Sequence, residues 1–217
     1  ALLLGSDAGG TTTVTGNLVG TVPTAGTLTF GDDAAETESF VFNGNIGATG
    51  ATIGAIEIGN NNASVHTVTT TGNIYADSID IEANDVLNIT GSSVTVSGAI
   101  DGNDASEGSV VVGNGTAATN ATFSSAIGAT NDLAAFKISS NATANISNSL
   151  LVETATDGAL DIDGTVNVDV TGGNATLANT GAGDTALDGV LTIIGDADGA
   201  FTLGGGTGEI HAGWNDK

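Results

Sequence analysis

Carboxylates are the side chains with the clearest capacity for chemistry in this chain, which has 25 Asp and Glu among 217 residues. Calcium binds six to eight oxygen atoms from Asp, Glu, Asn and backbone carbonyls, so acidic clusters in turn-like segments are candidate ligands. Turns also favour Asp on conformational grounds alone, and ordinary solvated turns are the alternative interpretation. We expect no cofactor apart from calcium, which is a candidate ion. The candidate calcium ligands are Asp32, Asp33, Asp101, Asp104, Glu107, Asp196 and Asp198.

The two histidines are the remaining candidates for catalysis. His66 lies in the segment Val65-His66-Thr67-Val68, where we expect the alternation to direct it outward, and His211 lies near the C-terminus. Neither histidine lies in a nucleophile pattern or a metal-binding pattern. We therefore interpret both as exposed strand residues.

The charge balance excludes several classes of partner. Only two lysines and no arginine oppose the acids, which leaves a net charge of −23. Such a chain cannot neutralise a nucleic-acid backbone or an anionic membrane surface, and it repels acidic polysaccharides. Tyr75 and Trp214 are the only Tyr and Trp, so an aromatic platform for sugars is missing. No apolar run approaches the roughly 18 residues of a membrane span. We predict a protein that is not an enzyme, does not bind nucleic acid and does not insert into membranes.

The elements that hold these residues are predicted to be β-strands. Val, Ile and Thr, which favour strands, alternate with Gly, Asn and Asp, which favour turns. No segment has a sustained helical stripe with caps. Aromatic residues make up 4% of the chain and cysteine is absent, so the core must be aliphatic and without disulfides. The composition therefore predicts an all-β fold.

Two short motifs recur along the chain at nearly the same period. The first resembles Gly-Asn-Ile, and its copies begin at Gly16, Gly44, Gly72, Gly98 and Ser125. The second alternates apolar and polar residues, and its copies occupy 27–30, 55–58, 78–81, 109–112, 135–138, 160–163 and 190–193. Both motifs therefore recur, on average, about every 27 positions, which is within the range of known structural repeats.

A period shared by two motifs predicts stacked repeats. Alternation directs one side of each strand inward, so stacking places Ile, Leu, Val and Phe in columns, with backbone pairing at about 4.8 Å. We predict a β-solenoid of about eight coils, with a repeat of about 27 residues, over 11–204. A β-sandwich of short strands, separated by regularly spaced turns, is the alternative.

Several repeat strings resemble those of a known class of bacterial surface protein. The strings GTLTFG, FNGNIGATG, IGAIEIG and VTVSGAIDG are similar to repeats of autotransporter passenger domains, and most of all to surface-layer proteins of the rickettsial outer-membrane protein B type. The resemblance covers roughly 16–128. It implies a secreted β-solenoid that is displayed on a bacterial surface, as part of a longer chain or as a self-assembling subunit.

The segments outside the repeats are candidates for assembly. Residues 1–10 form an apolar N-terminal segment, and residues 205–217 form a C-terminal segment that contains Trp214. A solenoid end exposes unpaired strand edges, which natural monomers cover with polar caps. We predict that Leu2, Leu3, Leu4 and Trp214 contact further copies of the chain and build a homopolymer.

These observations predict a structural subunit of a bacterial surface layer, sheath or extracellular filament. Its expected location is extracellular, on the bacterial surface. The alternative is an adhesin or autotransporter passenger that binds a receptor or glycan on a host or neighbouring cell. A structural subunit polymerises alone, whereas a passenger stays monomeric.

Overall fold

The computed structural model describes residues 1–5, 9–31, 36–59, 64–153, 159–171, 173–195, 199–205 and 210–212. Within these ranges all regular secondary structure is β, and the paired strands are parallel. Strands pair with strands one coil before or after them, so the chain winds as a β-solenoid. The β-solenoid prediction is confirmed over the β-sandwich alternative. None of the described ranges forms a helix long and apolar enough to cross a membrane.

The strands form three faces along the solenoid. Face A contains β1 (Leu2–Leu4), β3 (Ala25–Phe30), β5 (Ile53–Ile58), β7 (Ala76–Ile81), β10 (Ala99–Gly102), β15 (Leu150–Val152), β18 (Ala175–Asn179) and β21 (Phe201–Gly205). Face B contains β2 (Gly10–Thr15), β4 (Glu38–Asn43), β6 (His66–Thr70), β8 (Val86–Ile89), β11 (Glu107–Val112), β13 (Leu133–Ile138), β16 (Leu160–Ile162), β19 (Thr185–Leu187) and β22 (Ile210–Ala212). Face C contains β9 (Val94–Val96), β12 (Thr119–Phe123), β14 (Ala142–Ile146), β17 (Thr165–Asp169) and β20 (Val190–Ile194).

The cross-section changes along the axis. In the first levels face C consists of single bridges at Leu18, Ile46 and Ile74, and it becomes a strand only from β9 onward. Face A narrows to a single bridge at Ile127, between β10 and β15. Face C therefore widens as face A narrows.

One residue per level stacks in register on each face, which defines three columns. Column A consists of Leu2, Leu28, Ile56, Ile79, Ile100, Ile127, Leu150, Leu177 and Leu203. Column B consists of Thr12, Phe40, Val68, Leu87, Val110, Phe136, Leu160, Thr185 and Ile210. Column C consists of Leu18, Ile46, Ile74, Val96, Phe123, Ile146, Val168 and Ile193. Successive members of a column are about 25 positions apart in the sequence.

The core between the faces is mainly aliphatic, as the composition predicts. Full burial of one Leu, Ile or Val side chain stabilises the fold by about 1.5–3 kcal/mol, so these columns supply most of the driving force. Phenylalanine fills the wider gaps in two places. The rings of Phe30 and Phe40 join faces A and B with centroids 5.4 Å apart, and those of Phe123 and Phe136 join faces C and B at 5.7 Å.

Asparagine side chains form a hydrogen-bonded ladder at the corner that the first motif occupies. The backbone N–H of Asn45 donates to Oδ1 of Asn17 at 2.9 Å, and the N–H of Asn73 donates to Oδ1 of Asn45 at 2.8 Å. The N–H of Thr95 completes the ladder on Oδ1 of Asn73, at 2.8 Å. The ladder satisfies backbone donors that have no strand partner at the corner.

The glycine of the same motif is required by a close approach of backbones. A Cβ on Gly44 would lie 2.2 Å from the carbonyl oxygen of Gly16, and a Cβ on Gly72 would lie 2.1 Å from that of Gly44. Only glycine fits at this spacing. The third residue of each of these copies joins column C, so all three residues of the motif have a structural role.

Replacement of Asn45 by Ala should destabilise the fold by about 1–3 kcal/mol, because the backbone N–H of Asn73 loses its acceptor. Equilibrium urea denaturation would measure the free energy of unfolding. Asn45→Asp is the matched control, since it keeps an acceptor oxygen at the same position. If both variants lose the same stability, the ladder does not stabilise the corner.

Later copies of the two motifs lie on different faces from the earlier ones. Ile100, in the fourth copy of the first motif, stacks on Ile79 in column A rather than on Ile74 in column C. The second motif moves from face A to face B at Ser109 and to face C at Val190. Alternation of apolar and polar residues is suitable for a strand on any of the three faces. Copies of a motif can therefore be spaced more widely than the mean length of one coil, and later copies then lie on a different face.

Candidate functional site

Three carboxylates stack on successive levels along the outward side of face A. Glu57, Asp80 and Asp101 occupy one register position of β5, β7 and β10, and Thr29 of β3 precedes them. The Thr29 hydroxyl donates to Oε2 of Glu57 at 2.9 Å, and the N–H of Thr130 donates to Oδ1 of Asp101 at 2.9 Å. We call Glu57, Asp80 and Asp101 the carboxylate ladder.

The middle carboxylate of the ladder has the least favourable environment for a charge. Partial burial raises the pKa of Asp80 above its usual range, and the hydroxyl of Ser78, which donates to Oδ2 at 3.1 Å, opposes that shift. The neighbouring carboxylates of Asp101 and Glu57 raise the pKa further. The ladder can therefore attract protons or cations.

Three of the predicted calcium ligands, Asp101, Asp104 and Glu107, lie in the described part of the chain. Asp101 belongs to the ladder, whereas Asp104 is exposed in the following turn, where its backbone N–H donates to Oε2 of Glu107 at 3.2 Å. Among the described residues, no group of three or more His, Asp or Glu is placed to hold a metal ion. Asp32, Asp33, Asp196 and Asp198 lie outside the described residues.

Replacement of Asp80 by Asn should raise the free energy of unfolding at neutral pH by about 0.5 kcal/mol, a small value because the group is partly exposed. The folded pKa of Asp80 lies above the unfolded value of 3.8, so the wild type loses stability as the pH rises from 3.8 through the folded pKa. The advantage of the variant should therefore vanish near pH 3. Urea denaturation at both pH values measures the difference.

Asp104→Asn is the control, because it removes an exposed carboxylate outside the ladder. A gain from Asp80→Asn that is equal at both pH values would show that charge in the ladder is not its cause.

A second cluster of ionisable groups is buried at the corner between faces A and B. Glu38 begins β4, His66 begins β6 directly above it, and Asp85 precedes β8 one level further on. Their exposures are 2%, 0% and 2%. His66 Nδ1 lies 3.3 Å from Oδ1 of Asp85, and Nε2 lies 3.7 Å from Oε2 of Glu38. We call these three residues the buried corner.

The prediction that His66 is exposed is wrong. His66 lies on the same side of the strand as Val68, which is buried in column B, whereas Thr67 lies on the outward side. The other histidine, His211, lies in β22, where it pairs with Ala186 near the opposite end of the described solenoid.

Glycines on face A make room for the buried corner. A Cβ on Gly31 would lie 3.0 Å from Cδ2 of His66, and a Cβ on Gly59 would lie 1.7 Å from Oδ2 of Asp85. Both glycines have a φ of +99°, which other residues rarely adopt. The chain therefore omits side chains on face A at the levels where face B directs charged groups inward.

Burial dominates the electrostatics of the corner. It raises the pKa of Asp85, while the His66 backbone N–H, which donates to Oδ1 at 2.5 Å, and the His66 ring oppose that shift. The carboxylate of Glu107 raises the pKa further. His66 is fully buried, so its ring contacts protein groups rather than the surface.

The described N-terminal end of the solenoid is apolar. Leu2 and Leu3 are 42% and 58% exposed, whereas Leu4 packs against the core. Val19 and Val22 are also exposed. Leu2 and Leu18 line two open depressions of about 170 and 120 Å³ at this end, and Val19 lines the larger one. Among the described strands β1 pairs with β3 alone, so its outer edge presents N–H and C=O groups to a further strand.

The other end also exposes apolar side chains. Val190, Ile193 and Ile194 of β20 are 54%, 49% and 47% exposed, and within the described part of the chain β20 pairs only with β17. The predicted assembly residue Trp214 lies outside the described residues.

No protein-family model, curated protein or solved structure matches this chain. The similarity of its repeat strings to autotransporter passenger domains therefore stays a prediction.

Proposed function

We propose that this chain is a non-enzymatic structural subunit of a bacterial surface layer, sheath or extracellular filament, and that it assembles through its ends. The observation that supports this most strongly is the apolar N-terminal end, where Leu2 begins column A and Leu18 begins column C without a covering level in the described chain.

Stacking of a second copy would extend the columns without a change of geometry. Leu2 and Leu18 of one copy would meet Leu203 and Ile193, the last described members of columns A and C, in another copy. Parallel strands at the usual spacing would pair the open edges of both copies. Such a contact joins different surfaces and does not close, so it builds a filament.

The sides of the solenoid disfavour the competing lateral contact. The net charge of −23 and the carboxylate ladder on face A make two parallel copies repel each other. Divalent cations such as calcium would reduce this repulsion, and lateral packing into a sheath or layer would then depend on cations. An extracellular location is consistent with such a cation supply and with the resemblance of the repeats.

Replacement of Leu2 by Lys should abolish filaments, because it places a charge on the edge strand at the top of column A. The substitution also lowers the net negative charge, which reduces the general repulsion between copies. Increased repulsion therefore cannot explain a loss of filaments. Negative-stain electron microscopy and light scattering of the purified chain, with and without calcium, measure assembly.

The matched control is Val41→Lys, since Val41 lies on the outward side of β4 between Thr13 and Thr69, one level inside the described N-terminal end. We expect this variant to form filaments as the wild type does. Filaments of Leu2→Lys that equal those of the wild type would refute assembly through this end. A wild-type chain that stays monomeric under all conditions would instead favour the adhesin or autotransporter passenger.

A further inference from the structure

In the buried corner one imidazole ring lies between two carboxylates. A neutral ring therefore has fewer N–H donors than the two acceptors that it faces. A neutral imidazole has one N–H donor and one acceptor nitrogen. His66 faces Oδ1 of Asp85 with Nδ1 and Oε2 of Glu38 with Nε2. If Nδ1 carries the hydrogen and donates to Asp85, the lone pair of Nε2 faces an ionised Glu38. The other tautomer moves the same conflict to Asp85.

The contact to Glu38 is where the mismatch is visible. His66 Nε2 and Glu38 Oε2 are both buried, and neither atom has a hydrogen-bond partner among the described residues. Asp85 Oδ1, in contrast, already accepts from the backbone N–H of His66. Two buried acceptors face to face are costly, whereas one additional proton on the ring makes the 3.7 Å contact an attractive ion pair.

We propose that the folded protein holds one titratable proton between His66 Nε2 and Glu38 Oε2, and that its release at rising pH destabilises the corner. The buried corner is thus a pH-sensitive device built into the solenoid, and it is independent of the proposed assembly.

The other groups around the corner favour retention of the proton. Glu36 precedes β4 and has a buried Oε2, and Glu82 lies in the turn with Asp85. Glu107 of β11 acts on Asp85 from the following level. Gly31 and Gly59, which pack against the corner from face A, contribute no side-chain charge. The surrounding charges from the described elements are therefore negative, which favours a bound proton.

The direction of the pH dependence follows from linkage. In an unfolded chain a histidine loses its proton near pH 6.5, so the proposed proton stabilises the fold only while the folded corner still holds it. The contribution to stability is complete below about pH 6.5. It is lost as the pH rises through the value at which the folded pair releases its proton, and over that window the unfolding equilibrium constant should rise up to about tenfold per pH unit.

Glu38→Gln is the decisive variant. The Gln amide supplies a permanent N–H donor to Nε2 of a neutral ring, so the corner no longer needs the titrating proton. Urea denaturation from pH 6 to 9 should give a nearly constant unfolding constant for this variant and a rising one for the wild type. A variant that follows the wild-type slope would overturn the proposal.

The chain has only two histidines, which provides a matched control. His211→Gln should keep the wild-type pH dependence and leave a single set of ring signals for His66. If Glu38→Gln does not fold, the ¹⁵N shifts of the His66 ring and the ¹³C shift of the Glu38 carboxyl in His211→Gln test the proposal directly. At pH 7 a ring with one protonated nitrogen beside an ionised Glu38 would refute it.

Discussion

The constraint on which this structure depends is the in-register stacking of parallel coils at a single spacing. Each stacked residue lies directly above a residue about 25 positions earlier, so the chain places like groups on like groups. For Ile56 above Leu28, stacking buries apolar surface at both levels. For Asn45 above Asn17, the side chain of one level accepts from the backbone of the next, which makes the repetition stabilising in a different way.

The same constraint is unfavourable for charge, and the two acidic clusters respond to it differently. On the outside, Glu57, Asp80 and Asp101 stack negative charges at successive levels. Solvent and hydroxyl donors such as Ser78 reduce the repulsion between them. The groups of the corner are buried, and a histidine separates Glu38 from Asp85. A buried column can hold charges only where signs alternate or where protons neutralise them. His66 thus places a ring that can carry a positive charge between two stacked carboxylates.

The stacking rule also explains which features the sequence can predict. Alternation and a shared period are enough to predict the strands and the solenoid, because most inward positions are apolar on every face. Because the pattern is the same on all faces, it does not show on which face a strand lies. The first motif, for example, groups Ile100 with Ile74, although Ile100 stacks on Ile79. Thr29, Glu57 and Asp80 share one position of the second motif, so two members of the ladder are visible in the sequence. Asp101 and the residues of the buried corner can be assigned to their clusters only when the pairing register of the strands is known.

In the proposed assembly, the same energetics favour growth along the axis. A further level on the end at Leu2 would bury apolar surface and satisfy the open edge of β1, as every internal level does. A lateral neighbour would instead bring carboxylates together and desolvate polar side chains that already have partners within their own coil stack. The contrast between sides and ends thus comes from one rule: register stacking is completed inside the described solenoid and interrupted only at its ends. For that reason the proposed assembly adds a further level rather than a second face.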